Sequence, residues 1–170
     1  MEHLKYPVGK FVLPQTVDEK SLANHIHTIM MFPGELKKVL STFSEKELDS
    51  AYRPGGWTAR QVIHHISDSH NHALIRFKWS LTEDNPTIKP YLESKYAILA
   101  DYSLPVNISV SMITDIHVKW CSIFDSMAPS DWSKGYFHPD TNRFYRLDMA
   151  AALYDWHCRH HLAHIKLCKQ

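Results

Sequence analysis

Histidine is the residue type that stands out in this sequence, and its distribution indicates a metal site. The chain has 170 residues, of which 13 are histidines. Eight of them form two clusters: His64, His65, His70 and His72, then His157, His160, His161 and His164. A neutral imidazole binds an ion such as zinc at about 2.0–2.1 Å, so histidines that a fold brings together can hold one.

The second cluster contains two overlapping pairs of histidines four residues apart, His157/His161 and His160/His164. Residues with this spacing lie on one face of a helix, one turn apart, so either pair can bind the same ion. Each pair shares an apolar stripe of the predicted helix. Periodicity therefore leaves both pairs open as metal ligands.

The first cluster can supply a third ligand from a different helix, and His65 has His72 on the same face. Three imidazoles leave coordination positions free for water or substrate, as in catalytic zinc sites. A single histidine on an apolar face is as often a hydrogen-bonded core residue. We expect His64, His70 and His160 to face solvent, a helix neighbour or the back of a ligand.

Four long helical segments are predicted to position these clusters. They cover residues 18–43, 58–81, 108–127 and 148–169. The second has the clearest start, because Thr58 and Gln61 form a capping box. Pro33-Gly34 predicts a kink or break in the first, and Asp148 is the expected N-cap of the last.

Residues 135–145 differ from the rest, because aromatic runs flank a polar turn and predict a small β-hairpin. The predicted fold is all-α: a four-helix bundle with this hairpin before the last helix. No repeat or linker divides the chain, so residues 1–170 are expected to form a single domain. Facing side chains inside a bundle can build a metal site.

The composition argues against several classes of partner. Lys plus Arg is 19 and Asp plus Glu is 18, a net charge of +1, so no nucleic-acid or membrane partner is expected. The three cysteines, Cys121, Cys158 and Cys168, are odd in number and indicate a reducing compartment. Without a signal-like or membrane-spanning segment, a cytoplasmic protein is expected. Cys158 is expected in the core rather than as a nucleophile.

The sequence also resembles a known family. Residues 52–70, YRPGGWTARQVIHHISDSH, are similar to the signature of the YfiT-like metal-dependent hydrolases within the DinB superfamily. Three further stretches resemble that family in the same order: LKYPVGKF at 4–11, LTEDNPTIKPY at 81–91 and WHCRHHLAHI at 156–165. One departure is that Asn71 and His72 stand where the family tends to have Met and Asn.

The resemblance implies a four-helix bundle, usually a homodimer, that binds one divalent ion per chain through three histidines. Zinc is the first expectation for this ion and nickel the second. Carried over residue by residue, the ligands fall on His65, His157 and His161, which favours the earlier of the two pairs. His72 is then expected at the surface or behind a ligand.

The first functional hypothesis is a hydrolase acting on a small-molecule substrate. A metal held by three histidines lowers the pKa of bound water to about 7 and polarises a carbonyl. Asp68, one helical turn from His65, and Glu83, at the helix end, are the candidate general bases.

The second hypothesis, also open within the family, is a thiol S-transferase that joins a low-molecular-weight thiol to an electrophile. Coordination would deprotonate the thiol, and Arg53, Arg60 and Arg76 would bind its carboxylates. A non-enzymatic metal-binding protein is the third hypothesis.

Overall fold

The computed structural model describes residues 2–169, and four long helices account for most of them. Over these residues the α-helices are α1 (Glu2–Lys5), α2 (Glu19–Leu40), α3 (Glu45–Leu48), α4 (Ala59–Thr82), α5 (Glu93–Tyr96), α6 (Val106–Ser126) and α7 (Leu147–Leu167). The strands β1 (Gly135–His138) and β2 (Arg143–Arg146) lie between α6 and α7. The predicted four-helix bundle with a small hairpin is therefore confirmed.

The start of α4 follows from its first residues. The side chain of Thr58 accepts from the N–H of Gln61, and the side chain of Gln61 accepts from the N–H of Thr58. This reciprocal capping box satisfies two backbone donors that a helix start leaves unpaired. It fixes where α4 begins, and so which of its residues point into the bundle.

Of the kink or break predicted at Pro33-Gly34, the break is wrong, because α2 is continuous through both residues. Proline has no N–H to donate to the carbonyl four residues earlier, here that of Ile29. The side chain of His117, on α6, fills this gap: its Nδ1 lies 2.7 Å from the Ile29 oxygen. Packing against α6 thus compensates for the missing helix hydrogen bond.

The expectation that Asp148 is the N-cap of the last helix is also wrong. The cap is Arg146, and Asp148 lies in the first turn, where it accepts from the N–H of Met149 and pairs with Arg146 at 2.6 Å. The hairpin is the reason. Its pairing keeps the chain extended up to Arg146, and the N–H of Leu147 donates to the carbonyl of Lys134.

The long helices pack so that α2 and α4 each contact both α6 and α7. The two histidine clusters lie on α4 and α7, which are therefore in direct contact. The core between the helices includes the fully buried side chains Ile29, Leu36, Ile63, Ile66, Phe77, Ile113, Trp120 and Ile165. In the part of the chain that the structure describes, no helix has the length and apolarity to cross a membrane.

The hairpin is antiparallel, with Gly135 opposite Arg146 and His138 opposite Arg143. It contacts the bundle at α4 and α7. The connector after α4 is hydrogen-bonded to the outer edge of β1, where the N–H of Phe137 donates to the carbonyl of Pro86 at 2.9 Å. The hairpin is thereby held beside the histidine-bearing helices.

Candidate metal centre

Three imidazoles from two helices converge on one point. His65 comes from α4, and His157 and His161 lie one turn apart on α7. One ring nitrogen of each lies within 4.8 Å of the others. The Nε2 atoms of His65 and His157 are 3.3 Å apart. The residues that the family resemblance indicated are thus brought together.

Burial keeps these three imidazoles neutral. His65 is 1% exposed, and removal from water lowers its pKa to about 4. Burial also holds the pKa of His157 and His161 well below the ordinary value, helped by the neighbouring histidines. A neutral ring retains the lone pair that a metal needs.

The donor set and its spacing fit a divalent ion. Two ligands at 2.0–2.1 Å from a tetrahedral ion lie about 3.3–3.4 Å from each other, and the Nε2 atoms of His65 and His157 have this separation. Three neutral imidazoles suit zinc, nickel, cobalt or copper better than magnesium or calcium. Among the described residues, the buried Nδ1 of His65 has no hydrogen-bond partner, so its ring is not committed to another polar group there.

The alternative pair lies beside this group. His160, His161 and His164 also bring one ring nitrogen each within 4.8 Å, all from α7. The Nε2 of His164 is 3.1 Å from the carbonyl oxygen of Lys5, so it donates a hydrogen bond. Tyr52 stacks on the same ring with centroids 4.0 Å apart. His164 is therefore already engaged by the N-terminal segment.

His70 lies behind the candidate ligands, one of the three places expected for it. It is fully buried. Its Nδ1 is 2.8 Å from Nε2 of His117, and its Nε2 is 3.1 Å from Nδ1 of His157. His117 belongs to neither sequence cluster, and only the packing of α6 against α4 brings it here.

The other members of the first cluster have separate roles. His64 is buried and bonds the hydroxyl of Ser109 and the carbonyl oxygen of Leu104. His72 is half-buried and stacks on Tyr91, with centroids 4.3 Å apart. Neither belongs to the two groups of potential ligands found among the described residues.

A cavity of about 430 Å³ opens beside the candidate ligands. Its walls come from α4, α7, the connector before α5, the first residue of α5 and the β1–β2 hairpin. Besides the three histidines, the lining includes Ser69, Arg76, Tyr91, Glu93, Tyr136, His138, Asp140, Tyr145, Tyr154 and Trp156. This volume suits a small molecule.

The two carboxylates predicted as general bases do not line this cavity. Asp68 accepts a hydrogen bond from the hydroxyl of Tyr102 at 2.7 Å. Glu83 is exposed and follows the last residue of α4. Glu93 and Asp140 line the cavity instead. Glu93 is exposed at the surface, and partial removal of its carboxyl group from water raises its pKa, opposed by the positive charge of Arg76. Glu93 and Asp140 both lie outside the histidine-bearing helices, so helix periodicity gave no signal for them.

The three predicted anion-binding arginines lie in different places. Arg60 pairs with Asp49 and Glu45, each at 2.7 Å, and does not line the cavity. Arg53 lines a second cavity beside the C-terminal half of α7, which shares His160 and His161 with the first cavity. Arg76 lines the cavity beside the candidate ligands.

Arg76 is the buried cation of that cavity. It is 8% exposed, and its guanidinium lies 3.4 Å from the hydroxyl of Tyr154 and 6.0 Å from the ring centre of Tyr136. Among residues 2–169, no carboxylate oxygen lies within 4.0 Å of it. Its charge is therefore available to an anionic group in the cavity.

Comparison with known proteins gives consistent matches along the chain. Residues 32–165 match the family described as "DinB superfamily". Two relatives, each called "Putative metal-dependent hydrolase", come from Bacillus anthracis (strain CDC 684 / NRRL 3495) and Bacillus cereus (strain ATCC 10987 / NRS 248). They are 46% and 45% identical to this chain over 165 residues, which is 97% of this chain and 95% of each relative.

A solved structure matches the fold as well. It is described as "YfiT from Bacillus subtilis is a probable metal-dependent hydrolase with an unusual four-helix bundle topology". The superposition has a TM-score of 0.94 and covers 98% of this chain and 95% of the other, at 35% sequence identity.

Proposed function

This chain belongs to the DinB superfamily, and on that premise we propose that it is a metal-dependent hydrolase whose divalent ion is held by His65, His157 and His161. One observation carries the proposal: three neutral imidazoles, those of His65 and His161 buried and that of His157 partly buried, converge beside an open cavity. The names of the Bacillus relatives support the same reaction class. Zinc is the proposed ion, with nickel second.

The chain's residues suit this chemistry. When bound, a divalent ion with three histidine ligands supplies a Lewis acid for a substrate oxygen and makes water more acidic. Because the three histidine ligands are neutral, they would not cancel the positive charge of a bound divalent ion. The cavity gives a small substrate access to the open side of the three rings.

Arg76 is proposed to bind a carboxylate of the substrate. A buried guanidinium without a carboxylate partner is unfavourable, and an anionic ligand relieves this cost. Arginine also binds carboxylates through two parallel hydrogen bonds. Together with the cavity volume, this favours small molecules that carry a carboxylate near the bond to be hydrolysed.

Glu93 is proposed as the group that transfers protons. It lines the same cavity, and its raised pKa lies closer to neutrality than that of a carboxylate in water. A general base works best when its pKa is near the working pH. Glu93 therefore takes the role first expected for Asp68 or Glu83.

The test is turnover by the zinc-loaded protein on a panel of small esters and amides, each with and without a carboxylate. Hydrolysis that prefers the carboxylate-bearing members, and that is lost in His65→Ala, supports the proposal. Adding cysteine as a low-molecular-weight thiol separates the alternative. Turnover that needs the thiol identifies a thiol S-transferase, and no turnover in either arm favours a non-enzymatic metal-binding protein.

Assembly and location stay predictions. The family resemblance favours a homodimer, which sedimentation velocity tests directly. Cysteine usage favours the cytoplasm.

A further inference from the structure

Behind the proposed metal centre, a row of hydrogen bonds crosses the bundle from α2 to α7. It starts at the carbonyl oxygen of Ile29 and passes through His117 and His70 to His157. The three contacts measure 2.7, 2.8 and 3.1 Å. We call this row the carbonyl–histidine relay.

The relay has one direction, because a carbonyl oxygen only accepts hydrogen bonds. The Nδ1 of His117 must therefore donate, and in a neutral ring its Nε2 accepts. That acceptor requires a donor at Nδ1 of His70, whose Nε2 then accepts from Nδ1 of His157. The proton of His157 is thereby assigned to Nδ1, and its Nε2 is left with a lone pair.

This lone pair faces the proposed centre. The Nε2 of His157 lies 3.3 Å from Nε2 of His65 and 3.3 Å from the hydroxyl of Ser69. It is the atom whose distance to His65 fits two ligands of one tetrahedral ion. The relay thus leaves the free electron pair of His157 on Nε2, the atom that is placed to bind the metal.

The origin of the relay is a proline. In a helix the Ile29 carbonyl would accept from the N–H of residue 33, and Pro33 has none. The oxygen is therefore left for His117, which crosses from α6 to reach it. Ile29 and Pro33 both lie inside α2 and are buried, so solvent does not supply the missing hydrogen bond to the Ile29 oxygen.

We propose that Pro33, His117 and His70 are positioning residues of the metal centre, which hold His157 in the tautomer with its proton on Nδ1 and its lone pair on Nε2. The proposal rests on the proposed function, because it takes His157 as a ligand. It goes beyond that function in assigning roles to Pro33 and His117, which lie outside both sequence clusters, and to His70, which is not a proposed ligand.

A shorter row acts on the second α7 ligand in the same way. The carbonyl oxygen of Lys5 lies 3.1 Å from Nε2 of His164, and Nδ1 of His164 lies 3.4 Å from Nδ1 of His161. The carbonyl makes His164 a donor at Nε2 and an acceptor at Nδ1. His161 then carries its proton on Nδ1, which leaves its Nε2 free.

The direct test is the imidazole ¹⁵N NMR spectrum of the metal-free native protein at pH 8. Isolated histidine favours the proton on Nε2, so the relay predicts the opposite tautomer, with the proton on Nδ1, for His117, His70 and His157. A spectrum with the proton of His157 or His70 on Nε2 overturns the proposal. This measurement needs neither a variant nor a metal.

The second test compares two substitutions of buried histidines. His117→Phe removes the relay while keeping an aromatic ring against Phe32 and Trp120. His64→Phe is the matched control, because His64 is equally buried and hydrogen-bonded but lies outside the relay. Competition with a chromophoric chelator measures the affinity for Zn²⁺.

We expect His117→Phe to lower the affinity for Zn²⁺ by about 10–100-fold, as for other groups that orient metal-binding histidines, and to move the proton of His157 to Nε2. The affinity of His64→Phe for Zn²⁺ should stay within about twofold of that of the native protein. Equal effects of the two variants overturn the proposal. If the native protein binds no Zn²⁺, the proposed function is wrong. The NMR measurement of the His157 tautomer would still test the relay, because it uses the metal-free protein.

Discussion

At the scale of single residues, burial prepares the histidines for a metal. Removal from water lowers the pKa of His65 and His117 to about 4 and holds that of His70 well below its ordinary value. Protons therefore compete poorly for these rings at neutral pH. The same burial makes each ring depend on a partner, because an unpaired polar atom in a core is costly.

The ligand assignment gives the first prediction. His65→Ala or His161→Ala should lower the affinity for Zn²⁺ by more than about 100-fold, the upper end of the loss when only a group behind a ligand is removed. The far-UV helical signal should persist. Elemental analysis of the dialysed protein measures metal per chain, with the exposed His27→Ala as control. Unchanged metal content in both ligand variants would show that the assignment is wrong.

The proposed proton-transfer group gives the second prediction. Glu93→Gln should reduce the turnover number by about 10²–10⁴-fold, the usual contribution of a general base, without changing metal content. Glu83→Gln is the matched control, since Glu83 lies outside the cavity. If Glu83→Gln loses as much activity as Glu93→Gln, the assignment of Glu93 as the general base is contradicted, and Glu83 becomes the candidate again.

At the scale of elements, the hairpin matters because it closes one side of the cavity. Tyr136, His138 and Tyr145 all reach the lining from β1 and β2. The strands approach closely at Gly135, where a Cβ atom would overlap the backbone of Tyr145 and lie 2.8 Å from Cα of Arg146. Only glycine fits this crossing, so the hairpin register depends on it.

The third prediction follows from that contact. Gly135→Ala should destabilise the protein by about 1–3 kcal/mol, because the extra methyl group forces the strands apart. Gly34→Ala is the control: nothing lies within 4 Å of its Cβ position, and alanine favours the helix by about 0.5–1 kcal/mol. Urea unfolding measures both. Equal effects would contradict the close approach at Gly135.

At the scale of the whole molecule, the buried histidines tie stability to pH. The ring of His117 has its pKa lowered to about 4, against an ordinary value of 6.5. Between these values the unfolded chain binds a proton that the folded protein excludes, so the free energy of unfolding falls as pH falls. Above pH 6.5 both states are neutral and this contribution is constant.

The fourth prediction is the size of this effect in the metal-free protein. His117 alone should lower the free energy of unfolding by ~3 kcal/mol from pH 6.5 to 4, and His70, His157 and His161 add to it. Urea unfolding across this range measures the slope. His117→Phe should reduce the slope by an amount that corresponds to nearly one bound proton, because the variant lacks the ring that only the unfolded chain protonates. An unchanged slope in His117→Phe would mean that this ring is charged in the folded protein.

The sequence by itself determined the helices and the family. The capping box at Thr58, the apolar periodicity and the hairpin composition are local features, so they could be recognised without coordinates. Choosing His157/His161 over His160/His164 needed the family resemblance, because both pairs have the same helical spacing. Of the kink or break predicted at Pro33, the break does not occur, and local rules do not include the donor from another helix that bonds the Ile29 carbonyl.

Tertiary structure alone decided what surrounds the three rings. Glu93 and Asp140 reach the cavity from segments remote from the histidines in sequence, and His117 reaches Ile29 across 88 positions of the chain. Hydrogen-bond partners of this kind depend on how helices pack, and packing joins residues that no sequence spacing relates.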